Sequence, residues 1–284
     1  MGDEELQRDR LTDSAGDVTI RPMRPEDVAA AERLGAEGFH ELDSRMFRRS
    51  WPEPTMRTVE RGARWVACTQ QFLRTDPGGC WVAEDATGLL GFATSFNREK
   101  LWCLATYAVR PQAQGRGIGK ALLAAALQHG RGSLRGMISS SSDPKAIRRY
   151  RLAGFSLHPQ MFLSGTVDRS ALPVVEKVRE GSVGDIELMD SIDRRTRGAA
   201  HGPEHELMLG LWRLVVSDTS TGSGYAYVDE DGAPLDLGGV AALGAGGQVH
   251  VGYLLALRAG WPSGMLSLVK LRSSLSISGP SATE

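Results

Sequence analysis

The chain has 284 residues, 41% of them hydrophobic, and its 33 basic and 34 acidic residues leave a net charge of −1. That length admits one large domain or two modest ones with a full core. The charge balance gives no global attraction to nucleic acid or an anionic membrane. No apolar run approaches the ~18–20 residues of a membrane span. The acidic start, Met1 to Glu5, has no apolar stretch of the kind a secretory signal needs, so a cytoplasmic location is expected. Cys68, Cys80 and Cys103 are odd in number and show no Cys-x-x-Cys spacing. They read as reduced thiols, with no disulfide framework and no metal site. Cys103 falls on a strand and reads as a small core residue.

Residues 1–17 are polar and read as disordered. Val18 to Arg21 starts the first strand, and Pro25-Glu26-Asp27 opens a helix carrying Val28, Ala31 and Leu34 at helical spacing. Glu37 to Pro54 reads as a loop with one helical turn at most, and Thr55 to Arg74 as a longer helix ended by Asp76-Pro77-Gly78-Gly79. Cys80 to Glu84 and Leu89 to Phe96 are strand-like runs around Asp85-Ala86-Thr87-Gly88, a hairpin signal. Leu101 to Val109 is an apolar strand. A helix from Ile118 places Leu122, Leu123, Ala126 and Leu127 on one face and stops at Gly130. A short strand, Gly136 to Ser140, precedes a helix with Asp143 as N-cap, Pro144 in its first turn and Gly154 as its stop. Phe155 to Val167 closes with strand character. The order is β-α-α-β-β-β-α-β-α-β, an α/β fold with a mixed, mostly antiparallel sheet flanked by helices.

The most informative stretch joins the Leu101–Val109 strand to the next helix: Ala108-Val109-Arg110-Pro111-Gln112-Ala113-Gln114-Gly115-Arg116-Gly117-Ile118-Gly119-Lys120. Free amides of a first helical turn, a helix dipole and glycines that admit close approach make a seat for a pyrophosphate, with Arg116 and Lys120 adding positive charge. A Walker loop is excluded because Ala121 follows Gly119-Lys120 where a hydroxyl is needed. The glycine spacing also misses Gly-x-Gly-x-x-Gly of a dinucleotide fold. What matches is Gln-x-x-Gly-x-Gly, with Gln114, Gly117 and Gly119. This resembles the acetyl-CoA loop of the GNAT superfamily of N-acetyltransferases. Downstream, Ala146, Tyr150, Gly154 and Phe155 fall in register with the family's Asn-x-x-Ala-x-x-x-Tyr-x-x-x-Gly-Phe helix, with Asp143 in place of the Asn.

The resemblance implies acetyl-CoA as cosubstrate, no metal, and transfer of its acetyl group to a primary amine on a small molecule or a protein. It assigns cofactor contacts to Ala108, Val109, Gln114, Gly115, Arg116, Gly117, Ile118, Gly119, Lys120 and Asp143. It also implies polarisation of the thioester carbonyl by a backbone N–H near Val109, and makes Tyr150 the proton donor to the leaving thiolate. The alternative is a non-catalytic acyl-CoA-binding or regulatory protein. The base is not visible on the Leu101–Val109 strand. His40, Glu41, Asp43 and Glu53 are its candidates, and Arg197 to His205 is a second patch, read as one wall of an acceptor pocket. His201 and His205 are four apart, but Gly202-Pro203 breaks a helix between them, which argues against metal binding there.

Val178 to Ile186 lines up with Ile20 to Val28 at a constant offset of 158, and Gly224 to Gly232 has the strand-then-turn look of Gly79 to Gly88. An internal repeat is expected. The second copy keeps neither motif. The expected division is therefore an acetyltransferase domain over 18–168 and a degenerate acetyltransferase-like domain over 173–284. The oligomeric state is not legible.

Overall fold

A computed structural model describes residues 18–49, 53–159, 178–219 and 222–228, together with the short strands 11–12, 240–243, 249–252 and 267–271. Most of residues 1–17, the end of the strand drawn to Val167, and the glycine turns near 232, 238 and 247 lie outside the described residues.

The first sheet has eight strands in the order β1-β2-β3-β4-β5-β6-β13-β7. They are β1 (Leu11–Thr12), β2 (Thr19–Pro22), β3 (Cys80–Asp85), β4 (Gly88–Arg98), β5 (Leu101–Val109), β6 (Arg135–Ser140), β7 (Phe155–Pro159) and β13 (Ser267–Leu271). Only the β5–β6 pair is parallel. The mixed, mostly antiparallel sheet flanked by helices is therefore as expected. Leu11 and Thr12 pair with Ile20 and Thr19, so the first 17 residues are not wholly without structure. Their alternation is too short to register as a strand.

Four helices cover this sheet: α1 (Val28–Met46), α2 (Val59–Thr75), α3 (Ile118–His129) and α4 (Pro144–Leu152). Beneath α3 and α4, Ile118, Leu122, Leu123, Ala126 and Tyr150 pack with Trp102, Ile138 and Phe155. On α1's side Val28, Ala31 and Leu34 meet Val82 and Phe92. With layers on both faces, the central strand β4 is buried from Leu89 to Phe96 without polar alternation.

Helix α1 corrects the reading of Glu37 to Pro54 as a loop, since it runs on to Met46. Gly35 and Gly38 lower helix propensity and disguised the continuation. The buried positions Leu34, Gly35, Ala36 and Asp43 still hold one face against the sheet and α2. On α2, the Thr58 hydroxyl caps the first turn by accepting from the Arg61 amide.

A second sheet runs β12-β11-β10-β9-β8, all antiparallel. Its strands are β8 (Val178–Glu180), β9 (Arg213–Thr219), β10 (Gly222–Val228), β11 (Val240–Leu243) and β12 (Val249–Gly252), with α5 (Ile186–Thr196) and α6 (Glu204–Leu211) between β8 and β9. Its core is Met189, Ile192, Met208, Leu214, Val216, Tyr225 and Tyr227. The start of this unit has the same local geometry as the start of the first, at the offset of 158. Asp27 accepts from the Arg21 guanidinium at 2.7 Å and from the Arg24 amide at 2.8 Å. Asp185 accepts from Arg179 at 2.9 Å and from the Ser182 amide at 2.8 Å. In both, a carboxylate at the end of a single 3₁₀ turn reaches back to accept from the amide three residues earlier.

The two units meet at one end of β4. The buried Arg98 donates to Asp76 at 2.8 Å and to Glu204 at 2.6 Å, and its Nε also donates to the His201 carbonyl. Phe96, Leu101 and Cys103 pack against Ala199 beside it. Burial pushes the Cys80 and Cys103 thiols up to about 12, so both are inert core residues. No described helix is long and apolar enough to cross a membrane.

Candidate active site

The site begins where the sheet opens. The β5–β6 ladder runs only from Leu101–Arg135 to Leu104–Ile138. On the other edge of β5, the register with β4 shifts between Thr94 and Ser95, so that Ala105 is the extra residue of a bulge. A bulge bends and twists its strand. From Ala105 to Val109, β5 has no ladder partner on its β6 side. The glycine loop lies at the mouth of this split.

Pro111–Ala113 makes one 3₁₀ turn, with Ala113 buried as its anchor. Gln114 then folds back: its Nε2 donates to the Val109 carbonyl at 3.1 Å, and its Oε1 accepts from Lys145 Nζ at 3.4 Å. The Gln114 side chain thus ties the loop to the strand end and to α4. Gly115 and Gly117 have φ of +84° and +88°, where side chains are strained. A Cβ on either would meet nothing within 4 Å, so both backbones border open space. Gly117 is the N-cap of α3 and has no side-chain cap. Its carbonyl accepts from Ala121, which leaves the amides of Ile118, Gly119 and Lys120 outside the helical ladder. Arg116 and Lys120 are exposed, and Ile118 is buried beneath them. Gly119 serves packing as well, because a Cβ there would collide with the Tyr107 hydroxyl. Ala108 packs toward α1 and Val109 toward α3.

Across the split stands α4. Asp143 is its N-cap, accepting from the Lys145 amide at 3.1 Å and from Arg45 at 3.0 Å. This carboxylate is therefore committed to a cap and to an ion pair that joins the C-terminal end of α1 to α4. Tyr150 is buried, with its ring 6.2 Å from that of Tyr107. Burial lifts both phenols, Tyr107 to about 12 and Tyr150 further, so both hold their protons at neutral pH. Tyr107 was not legible as a site residue: the strand pattern gives alternation, not which alternate faces the split.

Between α1 and the loop lies a cavity of about 310 Å³ lined by Leu34, Glu37, Glu41, Arg110, Pro111 and Gln112. Of the four base candidates only Glu41 lines it. Glu53 is exposed ahead of α2. His40 keeps a buried Nδ1 without a hydrogen-bond partner. Asp43 is 6% exposed, and burial pushes its carboxyl up to about 6 against the opposing pull of Arg61 on α2. An unfolded aspartate ionises near 3.9, so the folded state loses stability as pH rises from about 4 to about 6 and stays lowered above that. Asp43→Asn is expected to raise the thermal midpoint at pH 7.5 and to leave it little changed at pH 4. An equal shift at both values would show that the ionised carboxylate carries no such penalty.

The patch from Arg197 to His205 lies elsewhere. It is buried against Arg98 and Cys103, at the Leu101 end of β5. Eight residues of strand, roughly 26 Å, separate that end from the glycine loop. The expectation that this patch walls the acceptor pocket is therefore corrected. The Gly202-Pro203 turn also fails to keep the two histidines apart, since the His201 and His205 rings lie 5.2 Å from one another.

Residues 36–155 match the acetyltransferase (GNAT) family profile. No curated protein matches the chain. Among solved structures, a proposed acetyltransferase from Pyrococcus horikoshii aligns with a TM-score of 0.57 at 16% identity, covering 91% of this chain and 90% of that one. The PaiA N-acetyltransferase from Thermoplasma acidophilum, solved with coenzyme A, aligns at 0.40 and 16% identity over 51% of this chain and 93% of its own. YncA from Salmonella typhimurium, solved with acetyl-CoA, aligns at 0.38 and 23% identity over 52% and 87%.

Proposed function

We propose that this chain, which carries a GNAT acetyltransferase domain over residues 36–155, moves the acetyl group of acetyl-CoA to a primary amine. The observation that carries this reading is the open crescent of amides at Gly117 to Lys120, set at the mouth of the β5–β6 split with the protonated Tyr150 beyond it. The residues fit the cosubstrate. The uncapped amides, Arg116 and Lys120 are positioned for a pyrophosphate, and nothing at Gly115 or Gly117 obstructs it. The unpaired edge of β5 offers main-chain donors along the split for an extended arm and a carbonyl.

Acetyl-CoA supplies an acetyl group already activated as a thioester. Tyr150 holds the proton that the leaving sulfur takes up as the C–S bond breaks. Glu37 and Glu41 give the cavity beside the loop a negative lining suited to an incoming ammonium, whose proton passes to Glu41 or to water before the neutral nitrogen attacks the thioester carbonyl. Gln114 and Asp143 act as positioning residues, fixing the loop and the start of α4. Release of free CoA with a panel of small amines and N-terminal peptides tests the reading. Tyr150→Phe is expected to lower turnover by about 10²-fold with acetyl-CoA affinity unchanged. An unchanged rate would return Tyr150 to core packing. Acetyl-CoA binding without CoA release on any amine would make the protein a binding module.

The second unit reads as a degenerate copy with no cosubstrate site of its own. The shared capping geometry at Asp27 and Asp185 supports that reading, as does the lack of any Gln-x-x-Gly-x-Gly run after Gly224. The boundaries 18–168 and 173–284 then describe the two copies, with β13 returning from the second to the first.

A further inference from the structure

The second unit buries a cluster of ionisable groups that the transferase reading leaves without a task. Asp190 and Asp193 lie on α5, His205 on α6, and His201 on the turn between them. One ligand atom each from Asp193, His201 and His205 lies within 4.8 Å of the others. His205 and Asp193 are fully buried. Gly202, with φ of +64°, folds the turn so that both imidazoles face α5.

The decisive atom is His205 Nε2. It is buried and has no hydrogen-bond partner. Yet it stands 3.3 Å from Asp190 Oδ1 and 3.4 Å from Asp193 Oδ2. The other ring nitrogen is occupied: Nδ1 lies 3.0 Å from the Tyr227 hydroxyl, which itself donates to the His205 carbonyl at 3.4 Å. If Tyr227 donates to that carbonyl, its oxygen accepts from Nδ1–H and the lone pair is left on Nε2; if it donates to Nδ1, Nε2 carries the proton and turns it toward the same two carboxylates. In the first tautomer a lone pair faces two carboxylate oxygens and in the second a single N–H is shared between them at 3.3 and 3.4 Å, so either leaves a place for a cation in this buried site. Asp193 is braced in the same way, its Oδ1 accepting from the Tyr225 hydroxyl at 2.7 Å. Partners behind the donor atoms that fix tautomer and orientation are what a metal site requires.

We infer that Asp193, His201 and His205, with Asp190 at the edge of the set where its Oδ1 also accepts from the Gly202 amide, hold a divalent metal ion of the zinc type, as a structural site remote from the acetyl-transfer centre. Zinc at about 2.0–2.1 Å from nitrogen and oxygen donors puts neighbouring donors of a tetrahedron roughly 3.3–3.4 Å apart, as found here for His205 Nε2 with each aspartate. His201 Nδ1 stands 2.5 Å from Asp193 Oδ2, so this pair must open by less than 1 Å to share the ion. The donor set of two imidazoles and two carboxylates suits zinc better than calcium or magnesium. The Arg197 guanidinium acts on Asp193 and donates to the Ala199 and Ala200 carbonyls, Arg194 lies within reach of both aspartates from its exposed position on α5, and Arg98 donates to the His201 carbonyl. A bound dication would fasten α5 to α6 across the Gly202-Pro203 turn.

The test uses the untagged full-length chain, stripped with a chelator and titrated with Zn²⁺ and Co²⁺. One equivalent of Zn²⁺ should bind, raise the thermal midpoint, and be replaceable by Co²⁺ with the visible spectrum of a four-coordinate nitrogen–oxygen site. His205→Gln should weaken Zn²⁺ binding about 100-fold or more. Asp190→Asn, at the rim of the site, provides a milder second variant if His205→Gln does not fold. Nitrogen NMR of histidine-labelled wild type needs no variant: with Zn²⁺ added, His205 should show one protonated ring nitrogen and one metal-bound. No Zn²⁺ uptake, uptake unaltered in both variants, or a His205 ring protonated on both nitrogens in the presence of Zn²⁺ would overturn the assignment in favour of a buried imidazolium.

Discussion

Gly117→Glu is expected to lower acetyl-CoA affinity by about 100-fold or more, equivalent to about 2.7 kcal/mol, while the chain stays folded. Two effects act at one atom. At φ of +88° any side chain is strained, at a cost of roughly 1–2 kcal/mol for a left-handed residue, which a domain stable by about 5–15 kcal/mol survives. The Cβ itself meets no protein atom, so a side chain there extends into the space in front of the uncapped helix end. A carboxylate in that space cancels the attraction of the helix terminus for anions and repels a pyrophosphate. Gly117→Ala separates the effects, carrying the strain and a small part of the obstruction without the charge. Calorimetry that finds unchanged affinity in the Glu variant would remove the cosubstrate from this loop. A Glu variant as weak as the Ala variant and no weaker would show that charge plays no part.

Much of this site is local, which is why the sequence exposes it. The strand ending at Val109, the glycines at 115, 117 and 119, and the Asp143-Pro144 start of α4 are settled within a few residues by proline geometry, positive φ and capping. What stays hidden depends on distant partners. Gln114 looks like a cofactor contact in sequence, and only the structure shows that its amide also ties the loop to Val109 and Lys145. Asp43 sits in a stretch whose charges and glycines mimic a loop, and only the packing of α1 against α2 buries it. The histidine cluster is the sharpest case. In sequence, the Gly202-Pro203 turn breaks the helix between His201 and His205 and sets them apart, yet the positive φ of Gly202 brings them together over α5. The place of β13 is not legible at all, because a five-residue strand, Ser267–Leu271, carries no mark of which sheet it will join.

That strand sets the last expectation: a chain ending near Thr166 should be poorly soluble and lose most of its turnover, even though it keeps both motifs. β13 fills the slot between β6 and β7, pairing Ser267–Lys270 with β6 and Ser267–Leu271 with β7, antiparallel to each. Truncation leaves both strands with unpaired edges, a template for aggregation. It also releases β6, which forms one wall of the split that we propose receives the thioester arm. At the other end of β4 it strips Glu204 from the buried Arg98 and Ala199 from Cys103. Breaking a buried ion pair by removing one partner costs about 3–5 kcal/mol, a large share of a domain's stability. Val269→Pro in the full-length chain isolates the strand's share, since it removes one ladder donor opposite Ile138 and Leu157 while leaving the second unit in place. This variant should lose turnover and solubility in the same direction as the truncation. A truncated chain that is monodisperse and fully active would show that the first sheet is complete without β13, and wild-type behaviour of Val269→Pro would place the truncation's effect in the Arg98 junction instead.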